Sequence, residues 1–498
     1  MFQVRYARGR LLLTILAIMT LLIAALGAVM AWQAWQLAAR QEPVSPRPGV
    51  TVDAEAAARR LGVALSLPTI WSPDGAHDAA FLALHRHLQA SFPAAHAAMT
   101  RQVVGRHALL YTWAGSDPKA MPVALLAHQD VVPVAPGTED RWTHPPFSGA
   151  VVDGFVWGRG AWDNKSSVMG LMEAVEVLAR SGFKPRQTLY LALGADEEVG
   201  GKEGAVAMAA LLRQQGVKLR FVLDEGLVIT HGMVPGVSKP VALIGMAEKG
   251  FMTLKLTAVA QPGHSSMPPP RSAIGVLGEA VARVEAQPMP ARLQGLPRQM
   301  FEAVAPEMDT VMRGLMSNIW LTEPLLLRQL EKIPSTNAMV RTTGVATVFQ
   351  AGERENVMVG QASALINFRL LPGDRSEAVI DHVRRVVAGL DVRVERQPWV
   401  NEASPVSSAQ TSAYRLLSRS LRELQPDVVV APGLLVGATD SRHYADLTES
   451  IFRFAPMHAA QADLAMFHGT NERISVRNYA QMIQFYERLM RESHATSP

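Results

Sequence analysis

The chain is 498 residues long, 48% hydrophobic and 18% charged, with a formal net charge of +4 and no cysteine. Its length and apolar content exclude a disordered chain and leave room for about three domains, or one large domain carrying an insertion. No Lys/Arg-dense run follows the N-terminal arginines, so no nucleic-acid partner is expected. Lacking cysteine, the protein can hold a metal only through His, Asp and Glu, a composition that suits an oxidising compartment.

Residues 1–10 form a short basic tail with Arg5, Arg8 and Arg10. From Leu11 to Ala31 only Thr14 and Thr20 are clearly polar. At about 1.5 Å per residue the run spans about 31 Å, the depth of a hydrocarbon core. The preceding arginines predict a cytoplasmic N-terminus and a periplasmic, extracytoplasmic location for everything that follows. Trp32 and Trp35 then fall in the far interfacial belt. A cleaved signal peptide, with Val29 and Ala31 at the cleavage site, is the competing reading. Signal h-regions usually run about 7–15 residues, and this longer run favours a retained single-pass anchor. Residues 32–50, with Pro43, Pro46 and Pro48, read as a stiff linker.

Beyond the linker, short apolar runs alternate with helical patterns, the signature of an α/β architecture. Val123–Ala127, Thr188–Leu193 and Phe221–Leu223 read as buried strands. Val168, Leu171, Met172, Val175 and Leu178 mark an amphipathic helix that Gly182 ends. Near residue 250 the pattern changes. Leu254, Leu256 and Ala258 alternate with polar neighbours, as do Ala364, Ile366, Phe368 and Leu370, which predicts antiparallel strands with one open face. The expected organisation is therefore 51–250 and 373–498 as two parts of one catalytic domain, with 251–372 as an α+β insertion. The Met- and Leu-rich stretch 308–333, with Trp320, reads as an extra helical layer, a dimer contact or an apolar substrate wall.

Several ionisable residues follow these strands directly. His128 and Asp130 close Val123–Ala127; Asp163 precedes the amphipathic helix; Asp196, Glu197 and Glu198 follow Thr188–Leu193; Asp224 follows Phe221–Leu223. His468 offers a second imidazole far downstream. Each alone is commonplace: a His-x-Asp pair is usually structural, and acidic triplets often begin helices. Together, at the carboxyl ends of strands, they converge on one crevice. Carboxylates gathered there repel one another unless cations neutralise them. Two imidazoles and three carboxylates, one bridging, suit a pair of ions such as Zn²⁺. The neighbours Glu197 and Glu198 fit a division of labour in which one binds metal and the other accepts a proton.

The ordered set His128-x-Asp130, Gly158-Arg159-Gly160-x-x-Asp163-x-Lys165, Asp196-Glu197-Glu198, Asp224-Glu225-Gly226, Pro262-Gly263-His264-Ser265-Ser266 and Phe467-His468-Gly469 resembles the di-zinc aminoacylase/carboxypeptidase family. Within it the set is most similar to the branch of vacuolar carboxypeptidase S and the N-fatty-acyl amino acid hydrolase/synthase. The resemblance covers about 51–495. It implies a zinc-peptidase-like catalytic domain with a mixed central sheet, interrupted by a ferredoxin-like lid that also mediates dimerisation. It implies two zinc ions, one on His128, Asp163 and Asp224 and one on Glu198, Asp163 and His468. Glu197 would be the general base, Asp130 the partner of the other ring nitrogen of His128, and His264 a donor to the scissile carbonyl oxygen, reaching a neighbouring subunit's site. Trp162 departs from the family, where a smaller aliphatic residue commonly precedes the bridging Asp.

The same resemblance suggests Arg369 as a fork for a substrate carboxylate. Asn337 and the loop carrying Asp440, Ser441 and Arg442 are further substrate-side candidates. The expected activity is zinc-dependent hydrolysis of an amide next to a free α-carboxylate, in short peptides or N-acyl amino acids, and reversible under suitable concentrations. A metal-dependent aminopeptidase or dipeptidase, and a non-catalytic receptor-like protein on the same fold, are the alternatives. The retained base and ligand set weighs against the latter.

Overall fold

The computed structural model describes residues 2–37, 41 and 43–493, with side chains from Leu11 onward. Met1, the side chains of Arg5, Arg8 and Arg10, linker positions 38–40 and 42, and the expected catalytic-domain tail 494–498 lie outside the described residues.

In chain order the elements that matter are helix α1 (Phe2–Gln36) and strands β1 (Thr100–Val104), β2 (Ala108–Trp113) and β3 (Val123–His128); helix α2 (Lys165–Arg180); strands β4 (Leu189–Gly194), β5 (Phe221–His231), β6 (Val241–Glu248) and β7 (Gly250–Val259). Helices α3 (Ala273–Ala286), α4 (Gly295–Val304), α5 (Thr310–Ser317), α6 (Ile319–Leu330) and α7 (Pro334–Val340) follow. Then come β8 (Thr343–Gln350), β9 (Gln361–Leu370), α8 (Ser376–Val386), β10 (Val392–Asn401), β11 (Val429–Leu435), β12 (Ile451–Ala460) and α9 (Val476–Glu492).

Eight strands form one mixed sheet in the order β1-β2-β4-β3-β5-β12-β6-β11. Its centre is parallel, with β3 between β4 and β5 and β12 beside β5. Every residue of β3, β4 and β6 is buried, as apolar strands covered on both faces require. The expected amphipathic helix is α2, which buries more than one stripe because it lies between the sheet and α9; Tyr486 of α9 donates to Ser167 Oγ at 3.2 Å. Gly182 ends it with φ +74°, while Phe183 N–H closes on Leu178 O.

After β6 the chain leaves this sheet and returns to it at β11. Between them, β8-β9-β7-β10 form a separate antiparallel sheet. Its register pairs Leu254 with Ile366 and Leu256 with Ala364. These apolar faces bury against α3 and α8 through Leu277, Ala280, Val379 and Val383, a core of its own. Because β10 pairs with β7 from Val392 to Asn401, this unit runs past the expected boundary at 372. The weak alternation of β10, which carries Arg393, Glu395 and Arg396, conceals that strand in the sequence.

The stretch 308–333 is a helical layer. Together with α4 it packs on the edge of the large sheet, where Met300, Phe301, Met308, Met316 and Leu326 meet Val241, Leu243, Val429 and Ala431. Helix α1 is a single apolar rod, long and apolar enough over Leu11–Gln36 to cross a membrane.

Candidate metal centre

Strand ends and the loops after them carry the site. His128 is the last residue of β3, and its ring is buried. Nδ1 lies 3.0 Å from the backbone oxygen of Asp130 and 3.3 Å from its Oδ1. Since those atoms only accept, Nδ1 carries a proton, which leaves Nε2 as the ring nitrogen a cation would take. That Nε2 faces Asp163 Oδ1 at 2.8 Å and Glu225 Oε1 at 3.3 Å. On the other side of the same carboxylate, Asp163 Oδ2 lies 2.8 Å from His468 Nε2, which in turn is 3.5 Å from Glu198 Oε2. Two trios result, His128–Asp163–Glu225 and Asp163–Glu198–His468, whose ligand atoms within each trio all lie within 4.8 Å of one another. Asp163 is common to both.

The expected member of the first trio was Asp224; the geometry puts Glu225 there instead. The register of β5 shifts here: Arg453 of β12 pairs with Asp224 and Phe454 with Leu227, so Glu225 and Gly226 fall in a bulge that re-aims the side chain. The Asp224 carboxylate accepts the Ser441 backbone N–H at 2.8 Å and the Glu225 N–H at 2.9 Å. Glu225, one residue further on, reaches the imidazole, and Asn164 Nδ2 donates to its other oxygen.

Electrostatically the cluster is unsettled without cations. Burial pushes the Glu225 carboxyl up to about 8, with Asp163 and Asp224 adding to the effect and His128 opposing it. Burial works against ionisation of Asp163 too, but hydrogen bonds from His128 and His468 hold its carboxyl below the usual carboxylate range. His468 is drawn up to about 10 by its bonds to Asp163 and Glu198. Buried carboxylates that draw protons onto neighbouring imidazoles are the donor set divalent cations neutralise. The orphaned oxygen Glu198 Oε1 agrees, and the residues fit a two-metal centre.

Glu197 begins the turn after β4. Burial pushes its carboxyl well above the ordinary value; His128 opposes the shift, and Glu225, Asp440 and Asp163 reinforce it. Asp130 ties the two halves together, because its Oδ2 accepts the Glu198 N–H at 3.0 Å while its Oδ1 faces His128.

Two members of the loop expected to contact substrate lie beneath this cluster instead. Ser441 is fully buried and spends its N–H on Asp224 and its hydroxyl on Thr439. Asp440 is buried against Gly194 and Gly201, where any Cβ would collide with its oxygens. They belong to the acidic floor, not to a solvent-facing subsite. Arg442, Arg369 and Asn337 group differently. Arg369 lies over the Phe251 ring at 5.1 Å, and burial together with the nearby charge of Arg442 lowers its pKa. The Asn337 Oδ1 is buried without a partner. His264 stands exposed on a ribbon of Gly263–His264 with Val357–Met358, its Nδ1 2.8 Å from Ser266 Oγ, and joins neither trio.

Three residues at the site, Glu472, Arg159 and Lys249, have no role assigned in the sequence reading. Glu472 is fully buried and accepts the N–H groups of Gly160, Trp162 and Asp163 through one oxygen, at 3.0, 2.7 and 3.2 Å. Its other oxygen takes Arg159 Nη1 at 2.7 Å, while Arg159 Nη2 reaches the carbonyls of His468 and Gly469. This clamp holds His468 at φ +57°, an uncommon backbone region for a non-glycine residue. Trp162 adapts to the site by sending Nε1 to Arg473 O at 2.9 Å. Lys249, after β6, donates to Ala338 O, Arg341 O and Thr343 Oγ1, beside Arg369. The signals were present only as unassigned letters, Glu472 four positions after His468 and Lys249 at the end of a buried strand.

The family model described as peptidase family M20/M25/M40 matches residues 124–492. A carboxypeptidase S-like protein of Dictyostelium discoideum is 40% identical, covering 88% of this chain and 85% of its own length. An N-fatty-acyl-amino acid synthase/hydrolase of Danio rerio is 43% identical, covering 86% and 84%. Among solved structures, a M20 family metallo-carboxypeptidase from Sulfolobus solfataricus superposes with a TM-score of 0.63 at 17% identity, covering 89% of this chain and 99% of its own. That last likeness concerns the fold alone.

Proposed function

The chain belongs to peptidase family M20/M25/M40 and is a metal-dependent hydrolase; from that premise we propose that it holds two zinc ions and cleaves an amide bond next to a free α-carboxylate, in N-acyl amino acids or short peptides. The carrying observation is Asp163, which offers one oxygen to each trio. Glu225 and His128 would complete one zinc position, Glu198 and His468 the other. Ions bound there would acidify a water and polarise the scissile carbonyl.

The chain's own residues account for the remaining work. Glu197, raised in pKa and not a member of either trio, takes the proton from the attacking water and returns it to the leaving nitrogen. Asp130 keeps His128 in the tautomer that presents Nε2. Arg369 and Arg442 bring two guanidinium groups to one side, which favours a substrate with a carboxylate over one with a free amine. His264, on the antiparallel unit, serves as a donor to the carbonyl oxygen from a neighbouring subunit, with that unit acting as lid and dimer contact. Helix α1 anchors the enzyme in a membrane with the hydrolase on the extracytoplasmic side.

Among the relatives at 38–43% identity, the N-fatty-acyl-amino acid synthase/hydrolases favour acyl substrates and the carboxypeptidase S-like protein favours peptides. Purified full-length protein with zinc should hydrolyse N-oleoyl-phenylalanine or a Gly-Leu dipeptide and spare the same compounds with the carboxylate amidated. Turnover of C-blocked but not N-blocked substrates would reverse the assignment in favour of an aminopeptidase.

A further inference from the structure

The outer end of α1 is bonded to the helical layer on the hydrolase. Asn318 Nδ2 donates to Met30 O at 3.2 Å, Trp320 Nε1 to Gln33 Oε1 at 3.3 Å, and Arg313 to Ala34 O and Leu37 O at 2.9 and 2.6 Å. Met30, Gln33, Ala34 and Leu37 share one face of the helix. Two of these acceptors are C-terminal carbonyls that an α-helix leaves unpaired. The following chain is held as well: Gln41 pairs with both N–H and C=O of Val430 on β11, and Arg488 donates to Pro48 O. The expected stiff linker thus touches the domain at Gln41 and Pro48, which together with the bonds from Asn318, Trp320 and Arg313 ties the domain to the end of α1.

A hydrocarbon core about 30 Å deep takes about 20 helical residues. Counted from Leu11, it ends near Met30, where Asn318 attaches. Helices α5 and α6 therefore start at the depth of the lipid headgroups. Their outward side is apolar: Trp320 is 59% exposed, Leu321 41%, Leu325 59%, and Val311 of α5 72%. On α6, Trp320, Leu321, Pro324, Leu325, Arg328 and Gln329 form one exposed stripe. Indole rings favour the membrane interface, and an arginine on the same stripe can lay its stem along lipid and its charge among phosphates.

We propose that this face of α6, with Val311, is a second membrane contact: it lies in the headgroup layer of the leaflet from which α1 emerges and seats the hydrolase against the bilayer. The inference rests on the reading of α1 as an anchor. Seated this way, the α6–α7 connection leads from the lipid surface to Asn337 and the carbonyls held by Lys249, the side on which Arg369 lies.

The absence of cysteine permits single nitroxide labels in the full-length protein, reconstituted in phosphatidylcholine/phosphatidylglycerol vesicles. Labels at L21C, L325C and V103C report collision with oxygen, which partitions into lipid, against a water-soluble nickel complex. Val103 lies on β1, at the opposite edge of the eight-stranded sheet from β11, about 34 Å away at about 4.8 Å per strand. Lipid-type ratios at positions 21 and 325, with the ratio inverted at 103, are expected. An aqueous ratio at 325 with a lipid ratio at 21 overturns the second contact and leaves the anchor standing. Dipolar coupling between labels at 325 would put a second copy on this face and also overturn it. An aqueous ratio at 21 removes the anchor and the inference together.

Discussion

Glu472 and Asp163 are 309 positions apart, and the Glu472 carboxylate accepts the Asp163 backbone N–H at 3.2 Å. The shared carboxylate of both trios is therefore aimed by a second carboxylate that offers a ligand atom to neither. Because Glu472 also pairs with buried Arg159, removing it leaves an uncompensated internal charge, a loss of about 3–5 kcal/mol. E472A should lower the thermal midpoint strongly, and the milder E472Q should weaken zinc binding by about 10–100-fold. Competition with a chelator of known affinity measures this. Unchanged zinc affinity in E472Q would reduce Glu472 to a purely structural role.

Exchange of Asp224 for Glu225 in the first trio has a direct consequence. E225A should hold about one metal ion fewer per chain, and D224N should keep its full complement, by elemental analysis. The reverse pattern would restore Asp224 as the ligand.

Glu197 supplies no ligand atom to either trio. E197Q should retain zinc and lose turnover by about 10²–10⁴-fold, the usual range for a lost general base. Near-normal turnover with metal retained would assign the proton transfer elsewhere.

Burial, with the charge of Arg369 beside it, pulls the Lys249 ammonium down to about 7 from an ordinary value of 10.5. Between those values the unfolded chain holds a proton that the folded chain has released, so this group makes stability rise with pH from about 7 to about 10.5. Its slope approaches at most about 1.4 kcal/mol per pH unit. Below pH 7 both states are protonated and the cost of burying the charge is constant. Thermal unfolding of full-length protein in detergent should show wild type gaining on K249M across pH 7–10. Parallel curves would mean that Lys249 stays charged in the fold.

His264 stands apart from the trios in its own chain. If it serves a neighbouring subunit, H264A and E197Q should each be nearly inactive alone, and co-expression should recover about a quarter of wild-type activity, since one site in each mixed dimer is whole. No recovery would confine His264 to its own chain or to the turn it stabilises with Ser266.

Much of the centre was legible in the sequence. His128, Asp163, Glu197, Glu198 and His468 each sit at the end of an apolar run or in a glycine-rich turn, and period-two burial in β7 and β9 gave away the antiparallel unit. Local pattern determines these features because each depends on neighbours a few residues away. Where the unit ends was hidden, since the polar strand β10 is defined by its pairing with β7 and not by its own alternation.

Choosing Glu225 over Asp224 was a matter of tertiary structure, because which of two adjacent carboxylates meets an imidazole depends on how β5 is turned against β3 and on Ser441 waiting behind Asp224. The same holds for the burial of Asp440 and Ser441, for the Arg159–Glu472 clamp, and for the bonds that pin α1 to α5 and α6. Sequence determined which chemical groups were available and which strands would be apolar. Only packing, which brings together residues hundreds of positions apart, decided which groups gather in the two trios, which support them and which face of α6 stays exposed.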